Sequence, residues 1–535
     1  MTITRRNIGI APHKAKPIQI SQLTRPLGIR PDEVMSIGDY RAKVLPALLE
    51  RLSDKPNGKL VLVSSVNTVG SGEGKTCVTI GLTQGLAALK KRAIACVPEP
   101  SIGPTLSSKG GGTGTGHTQI LTSNDVNAGF LADALSVEIA NNFIAAAIDN
   151  HIYHGNHLDF DIVDWQRCSS INDRMLRQVT LSSLEKGKQK RIDTFRPTAT
   201  SELTTILTLS SNYSDLKKRI SNVTLGYNKL GKAITLKELQ LQNAVLALIK
   251  EAALPNFVQT LEGQPCMLHM GSYASSSIGS PSLTAIMSAL KLAHYAVCET
   301  GYSTDLGLQK FFEIICRKNE IKPSSVVLVV KSSSFAAQKN MGDFIGEIHR
   351  HIDNVRRYGY EPIICLNIDA STTGSALNEI EQTLTEEKIH YVPFSAVQDG
   401  TSGAIELAQK VADSTLKQSE MTKFNLSKKN IQERIEFIVK DFGIADKIHY
   451  GNEFDRDLQL LTEAGFASLP LNICRNAKTN SARQKNPQLK VKKLHLSSGA
   501  QLIDVLCEDS VFIQGMPEEP LYEKFQLPDH VEAQW

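Results

Sequence analysis

The feature that most constrains the fold is a glycine-rich segment placed between an apolar run and a helical stretch. Lys59–Ser65 is a continuous apolar run of strand length, Val69–Thr76 is rich in glycine, and Thr76–Lys90 has helical character. A second short apolar run, Ala93–Val97, follows the helical stretch. Strand, loop, helix and strand in this order form a βαβ unit, which predicts a parallel sheet.

The glycine-rich segment has the composition of a phosphate-binding loop. Its glycines would let successive backbone N–H groups turn inward around phosphate oxygens, and the following helix would add its positive N-terminal end. Lys75 would then reach the β- and γ-phosphates of a nucleotide, and the Thr76 hydroxyl would ligate Mg²⁺. A glycine-rich turn that binds nothing is the alternative, but Gly-Lys-Thr at a helix start favours nucleotide binding. The predicted loop comprises Val69, Gly70, Ser71, Gly72, Glu73, Gly74, Lys75 and Thr76, with Val69 where the usual motif has its first glycine.

Apolar runs and helical stretches alternate again later in the chain. Strands are predicted at Ser324–Lys331, Pro362–Ile368 and His390–Phe394, with helices near Met341–Tyr358 and Ser375–Lys388. These segments predict a second α/β region with its own parallel sheet, separated from the first by a mainly helical middle.

The last hundred residues have a mixed pattern. A helix is predicted at Lys428–Phe442, with strand-like runs at Leu494–Leu496 and Val511–Ile513. A chain of 535 residues is also too long for a single core. We therefore expect an α/β protein with a P-loop NTPase-like domain over residues 1–320, a second α/β domain over 321–424 and a smaller α+β domain over 425–535.

Charge and hydropathy argue against several classes of partner. Lys+Arg at 59 against Asp+Glu at 55 gives a net charge of +4, which is too small and too dispersed for a nucleic-acid-binding protein. No window approaches the roughly 20 apolar residues that a membrane helix needs. The N-terminal segment lacks an apolar stretch, so no secretory signal is expected there. These features predict a soluble, cytoplasmic protein without nucleic-acid or membrane partners.

Cysteine and histidine usage gives no sign of a structural metal. The nine cysteines are scattered without a Cys-x-x-Cys pair, which predicts free thiols. His151, His154 and His157 have spacings that a metal site could use, but no cysteine or carboxylate pattern completes it. The end of a helix with polar residues, stopped at Gly155, is the favoured interpretation.

Many segments, in order along nearly the whole chain, resemble the formate–tetrahydrofolate ligase family. Gly-Glu-Gly-Lys-Thr is similar to the phosphate loop of that family, including its missing first glycine. Further similar segments are Glu99-Pro100-Ser101, Lys109-Gly110-Gly111, Ala140-Asn141-Asn142, Asn172-Asp173-Arg174, Pro255-Asn256, Asp305-Leu306-Gly307, Lys310-Phe311-Phe312 and Leu496–Ala500.

This resemblance implies an ATP-dependent reaction of one-carbon metabolism. Formate attacks the γ-phosphate of Mg-ATP, and the formyl group of the resulting formyl phosphate passes to N10 of tetrahydrofolate. It implies that Lys75 is catalytic, that Glu99 and Ser101 bind substrate, and that Asp305 and Lys310 lie near the ligand cleft, although a solvated ion pair is an alternative for these last two. It also implies ATP and Mg²⁺, a monovalent cation and a homo-oligomer.

Several positions depart from the family pattern. The arginine expected before Glu-Pro-Ser is Pro98, which has neither a charge nor an N–H donor. Leu135 replaces a family histidine, and Asp369 and Val397 stand where two aromatic residues sandwich the pterin. The segments Ser272–Gly279 and Ser332–Asp343 also lack the family motifs.

These departures leave three functions open. The first is the family ligase, with reduced or altered activity. The second is a nucleotide-binding pseudoenzyme or regulatory paralogue that lacks folate ligase activity. The third is a ligase for another small carboxylate or acceptor, with Pro98, Asp369 and Val397 reshaping the pocket.

Overall fold

A computed structural model describes most of the chain. The described residues are 17–66, 72–100, 112–121, 132–171, 173, 176, 178–181, 191–271, 274–336, 341–416, 420–424, 426, 429–476 and 487–510.

A large sheet forms the centre of the molecule. Its ten described strands are β1 (Val34–Ile37), β2 (Arg41–Val44), β3 (Lys59–Ser65), β4 (Ala93–Val97), β5 (Asn256–Gln259), β6 (Pro265–Leu268), β7 (Tyr295–Glu299), β8 (Pro323–Lys331), β9 (Ile363–Asn367) and β10 (Tyr391–Phe394). Their spatial order is β1-β2-β5-β6-β4-β7-β3-β8-β9-β10. The seven strands from β6 to β10 are parallel, and the pairings among β1, β2, β5 and β6 are antiparallel.

The expected parallel βαβ unit is confirmed, but the expectation of a separate second sheet is wrong. β8 lies directly beside β3, with Val327 opposite Val63 and Val329 opposite Ser65. The strands on either side of residue 320 therefore share one sheet. The expected boundary at residue 320 therefore does not separate two sheets, because β8, which follows it in the chain, is hydrogen-bonded to β3, which precedes it.

The parallel strands are apolar on both faces because helices cover both sides of the sheet. Val61 and Val63 pack with Val78 and Leu82 on one side, whereas Leu60 and Leu62 join the core on the other. The helix α1 (Lys75–Ala88) is buried around most of its circumference, from Cys77 to Leu86. A helix enclosed in this way has little freedom to shift, so its N-terminus is held rigidly at the end of β3.

The middle region contains helices and small sheets. The long helix α2 (Asp133–Tyr153) dominates it, so the expectation of a mainly helical middle holds only in part. The short strands lie at Gly114–Thr115, Thr118–Gln119, Phe160–Val163, Arg167–Ser169, Val179–Leu181, Arg191–Asp193, Phe195–Pro197, Thr224–Asn228 and Ala233–Thr235.

The C-terminal region has the expected α+β character. A four-stranded sheet, in the order Lys447–Tyr450, Gln488–Ser497, Leu502–Cys507, Leu471–Cys474, packs with helices Ile431–Asp441 and Phe454–Glu463. The predicted strand at 511–513 lies outside the described residues.

The remaining helices connect and cover these sheets. No helix in the described ranges combines the length and the apolar character that a membrane crossing requires. The other α-helices are Ile20–Thr24, Pro46–Arg51, Glu202–Leu209, Tyr213–Ser221, Gln242–Leu248, Leu283–Leu292, Arg317–Asn319, Ser332–Ala336, Met341–Arg357, Gly374–Glu386, Ala396–Asp399 and Ile405–Ser414. Short 3-10 turns lie at Arg25–Leu27, Pro31–Glu33, Thr198–Thr200, Ala274–Ser276 and Gly400–Ala404, and π-helical turns at Thr304–Leu308 and Phe311–Cys316.

Candidate active site

The carboxyl ends of the parallel strands bring polar residues to one edge of the sheet. Ser65 ends β3, Glu299 ends β7, Lys331 ends β8 and Asn367 ends β9. Ligands of open α/β sheets bind at this edge, in the crevice outside the carboxyl ends of the strands. The start of α1 lies at the same edge, directly after the predicted phosphate loop.

Gly74 has a backbone shape that only glycine adopts easily. Its φ of +83° lies in the left-handed region, immediately before α1. A Cβ at this position would lie 2.3 Å from the Asn367 side-chain nitrogen. The same amide donates a 3.2 Å hydrogen bond to the Glu73 carbonyl. Asn367, at the end of β9, therefore holds the turn that leads into α1. Its amide can lie this close only because residue 74 is a glycine and has no side chain.

Lys75 is the first residue of α1, and its side chain reaches the end of β3. Its ammonium donates a 3.3 Å hydrogen bond to the Ser65 hydroxyl, which in turn donates to the Tyr302 carbonyl at 3.0 Å. Burial lowers the pKa of Lys75, while the nearby carboxylates of Glu299 and Glu73 act in the opposite direction. Lys75 is thus withdrawn from water beside two carboxylates, and an ammonium group in such a place interacts with an anion more strongly than that of an exposed lysine does.

Thr76 contacts a carboxylate that the sequence reasoning did not single out. Its hydroxyl donates a 2.7 Å hydrogen bond to Glu299, whose side chain is only 7% exposed. Burial raises the pKa of Glu299, opposed by the charge of Lys75 and the hydrogen bond from Thr76. Glu299 directly follows the apolar run Tyr295–Cys298, and a polar residue at the end of a buried strand is the signal that could have identified it.

Glu99 lies beyond β4 in a separate, buried cluster of charges. Burial and the neighbouring Asp133 carboxylate raise the pKa of Glu99 well above its usual range, and the Lys43 ammonium opposes this. Lys43 donates to Asp133 at 2.5 Å, and Asn256 donates to the second oxygen of the same carboxylate at 2.7 Å. Glu99 also lines a small, partly open cleft together with Ser170, Thr198 and Met270.

Asp305 and Lys310 have buried protein partners. The Asp305 carboxylate pairs with Arg475 at 2.8 Å and with Arg350 at 3.4 Å. Burial alone would raise the pKa of Asp305, but the two guanidinium groups outweigh it and hold that pKa well below its usual range. The Lys310 ammonium donates to the Ser277 carbonyl at 2.8 Å, and burial lowers its pKa to about 8. The alternative of a solvated ion pair for Asp305 and Lys310 is therefore wrong, because both side chains are buried and each has a different partner.

The positions expected to hold the pterin aromatics contain other contacts. Asp369 pairs with Lys331 at 2.9 Å, and its pKa is lowered to about 2, chiefly by hydrogen bonds from Ser371. The Val397 carbonyl accepts a 3.0 Å hydrogen bond from the His117 backbone. The two loops meet, since Gln398 donates to the Ile368 carbonyl at 3.3 Å. Where two rings would enclose a flat ligand, this chain has an ion pair and a small aliphatic side chain.

The other altered positions lack the groups that the family motifs would supply. Pro98 packs closely against the backbone of Gly271, where an added Cβ would lie 2.5 Å from the proline Cβ. Leu135 is 45% exposed on α2. Neither side chain carries a charge or a hydrogen-bonding group.

The remaining predicted site residues add no further geometry. Val69, Gly70, Ser71 and Ser101 lie outside the described residues.

Within the described ranges, no group of three or more His, Cys, Asp or Glu side chains could hold a metal ion. His151 instead accepts a 3.1 Å hydrogen bond from the Leu158 backbone, which fits the interpretation as a helix end. All nine cysteines are buried and free.

Comparison with known proteins agrees over nearly the full length. The sequence profile of the family described as formate–tetrahydrofolate ligase matches residues 5–534. A formate–tetrahydrofolate ligase of Methylibium petroleiphilum (strain ATCC BAA-1232 / LMG 22953 / PM1) is 33% identical over 533 residues, covering 94% of each chain. Because both comparisons agree over nearly the whole chain, and because Lys75 and Thr76 lie at the start of α1, the chain belongs to the formate–tetrahydrofolate ligase family.

Proposed function

We propose that the chain is an ATP-dependent formate–tetrahydrofolate ligase with a weakened folate site. ATP would bind with its phosphates at residues 69–76, and formate would attack the γ-phosphate to give formyl phosphate and ADP. N10 of tetrahydrofolate would then take the formyl group, releasing phosphate and a proton. The observation that carries the proposal is the Lys75 ammonium at the start of α1, facing the carboxyl ends of β3 and β7.

The residues present fit a phosphoryl-transfer site. The Lys75 charge and the amides at the N-terminus of α1 would bind the phosphates and stabilise the charge that spreads over the transferring group. Thr76 offers a hydroxyl oxygen, the hard type of ligand that Mg²⁺ prefers, and would hold the ion. When bound, Mg²⁺ neutralises charge on the β- and γ-phosphate oxygens. A monovalent cation and a homo-oligomeric assembly remain part of the proposal on family grounds alone.

The altered positions support the weakened folate site. Stacking of a base on an aromatic side chain contributes about 1–3 kcal/mol, so two missing rings would weaken binding by about 2–6 kcal/mol, or about 30-fold to more than 10⁴-fold. Loss of one charge-stabilising donor, as at Pro98, typically lowers the rate by about 10²–10³-fold. Substrate contacts by Glu99 and Ser101 remain proposals.

A second candidate is a nucleotide-binding protein of this family without folate ligase activity. The Lys331–Asp369 ion pair favours it, because a charged pair at the expected pterin position would have to be desolvated when a flat heterocycle covers it. This candidate retains the nucleotide site and loses only the second substrate.

A coupled assay of ATP cleavage separates the two candidates. ADP release is measured with formate and tetrahydrofolate together, with each alone and with neither, and 10-formyltetrahydrofolate is measured separately. Product that requires both substrates, with a tetrahydrofolate KM at least about 30-fold above that of the Methylibium relative, supports the ligase. Nucleotide binding without product at millimolar tetrahydrofolate would overturn it in favour of the second candidate.

A further inference from the structure

Lys331 ends β8, which lies between two strands whose last residues contact the proposed phosphate loop. β3 ends at Ser65, whose hydroxyl accepts a hydrogen bond from the Lys75 ammonium at 3.3 Å. β9 ends at Asn367, whose amide donates to the Glu73 carbonyl at 3.2 Å. The sheet therefore places a second lysine between two residues that contact this loop.

The side chain of Lys331 lies on the side of the sheet that α1 covers. Val327 and Val329 of the same strand pack in one cluster with Val78 of α1. Successive side chains of a strand point to opposite faces, so a residue two positions beyond Val329 returns to the α1 side. Lys331 is thus on the same side of the sheet as the start of α1.

The charge of Lys331 also reaches the first turn of α1. Burial raises the pKa of the thiol of Cys77, the third residue of that helix, and the Lys331 charge is one of the effects that oppose this rise. The Lys331 side chain is 18% exposed, and its ammonium lies 2.9 Å from the Asp369 carboxylate. An ammonium has three N–H donors, and in the described parts of the chain Asp369 takes up one of them. Lys331 therefore has donors for a further acceptor.

We propose that Lys331 is a second phosphate-binding residue of this site, contacting a phosphate group of the nucleotide from the end of β8, with Asp369 as its counter-ion in the free protein. This inference rests on the nucleotide binding proposed for residues 69–76. It assigns to the Lys331–Asp369 pair a part in binding the nucleotide, in addition to its position beside the altered folate site.

The charge of the site gives a physical reason for a second cation. Glu299 and Glu73 both act on Lys75, and these two carboxylates offset its attraction for a phosphate group. Pro98 also stands where the family pattern has an arginine, so one cation is missing at the end of β4. Lys331 supplies positive charge from the strand on the other side of β3.

A purely structural ion pair makes a different prediction. If the pair only joins the ends of β8 and β9, Lys331→Gln and Asp369→Asn break the same contact and should change nucleotide affinity in the same direction. If Lys331 binds a phosphate group, the two substitutions should act differently. One removes a donor and a positive charge, whereas the other removes a negative charge that competes with the phosphate for the ammonium.

The first test is the affinity of the full chain for ADP, measured by calorimetry at constant MgCl₂. We expect Lys331→Gln to weaken ADP binding by about 10- to 100-fold, the range for loss of a hydrogen bond between charged groups. Asp369→Asn should bind ADP as tightly as the wild type or more tightly. Lys59→Gln is the matched control, because Lys59 is also partly buried but begins β3, at the opposite edge of the sheet. It should retain the wild-type affinity.

The second test needs no variant. The wild type is treated with acetic anhydride, and mass spectrometry of its peptides measures how fast each lysine is acetylated. Saturating ADP should slow the acetylation of Lys331 and leave that of Lys59 unchanged. Adenosine, which has no phosphate group, should protect neither lysine.

The outcomes distinguish this inference from the proposed function. If the wild type binds no ADP, the nucleotide site itself is wrong and the inference falls with it. If it binds ADP, the inference is overturned by a wild-type affinity in Lys331→Gln, by equal losses in Lys331→Gln and Asp369→Asn, or by unchanged acetylation of Lys331 under saturating ADP. If Lys331→Gln does not fold, the acetylation of the wild type decides.

Discussion

The Arg475 guanidinium lies 2.8 Å from the Asp305 carboxylate, and both side chains are fully buried. These residues are 170 positions apart in the chain. Asp305 belongs to a π-helical turn after β7, and Arg475 directly follows the strand Leu471–Cys474 of the C-terminal sheet. The pair therefore connects the C-terminal region to the region of the central sheet that carries Glu299.

Removal of Arg475 should destabilise the folded chain. Arg475→Ala leaves a buried carboxylate with Arg350 as its more distant cationic partner, and loss of one member of a buried pair costs about 3–5 kcal/mol. Urea unfolding of the variant and the wild type measures the difference. Because the pKa of Asp305 is depressed in the fold, the stabilisation by the pair is present above the unfolded pKa of about 3.9 and is lost as the pH falls toward the folded value. If the difference in unfolding free energy between the variant and the wild type were the same at neutral and at strongly acidic pH, this account would be contradicted.

Nucleotide binding should require Lys75. Lys75→Ala should abolish the rise in melting temperature that ATP produces, because the desolvated ammonium that attracts the phosphates is gone. At 100 times Kd a ligand stabilises the fold by about 2.7 kcal/mol, which thermal unfolding detects readily. Lys91→Ala, on an exposed residue soon after the end of α1, is the matched control and should retain the shift. Unchanged stabilisation by ATP in Lys75→Ala would refute the proposed loop.

Gly74 should not tolerate a side chain. Gly74→Ala places a Cβ 2.3 Å from the Asn367 amide in a left-handed conformation, and we expect a loss of about 1–3 kcal/mol in unfolding free energy. Gly72→Ala is the control, since a Cβ there meets no atom of the described residues within 4 Å.

A double variant tests the contact itself. Asn367→Ala combined with Gly74→Ala removes the clashing amide, so the second substitution should cost less in that background than in the wild type. Strictly additive losses would show that the two residues do not interact.

Repair of one altered position should not restore an ordinary folate site. Pro98→Arg alone should leave the KM for tetrahydrofolate unchanged, because the pterin position is unaffected. Asp369→Phe with Val397→Phe should lower that KM by at least about 30-fold, since two stacking surfaces are added. Steady-state kinetics at saturating ATP and formate measure both effects, and a large fall in KM from Pro98→Arg would count against our assignment of these positions.

His495 should make stability depend on pH in the alkaline range. Burial disfavours its charged form, but the hydrogen bonds and charges of Asp164 and Asp504 outweigh burial and raise its pKa to about 9. The pKa is raised on folding, so this stabilisation is complete below the unfolded value of about 6.5 and is lost as the pH rises through about 9. His495→Gln should therefore remove the fall in unfolding free energy between pH 6 and pH 10, measured by urea unfolding. If the unfolding free energy of the variant fell with pH as steeply as that of the wild type, the imidazolium would contribute nothing to stability.

The local elements were predictable because they depend on neighbours in sequence. The apolar run at Lys59–Ser65 and the helix after it are found with almost the expected bounds. Lys75 and Thr76 could be proposed as phosphate-binding residues because the glycines, the lysine and the threonine lie within eight positions. The ion pair of Asp369 with Lys331 could not be foreseen, because the two residues belong to different strand ends and meet only when β8 and β9 pair.

The sequence alone determined the family and the βαβ unit and supplied the proposed phosphate loop, because each of these rests on short-range pattern or on ordered similarity along the chain. Only the tertiary structure decided that β8 lies beside β3 in a single sheet, that Glu299 meets Thr76, and that Asp305 is buried against Arg475. Such contacts join residues more than a hundred positions apart. They are set by how strands and helices pack together, and no local periodicity encodes that arrangement.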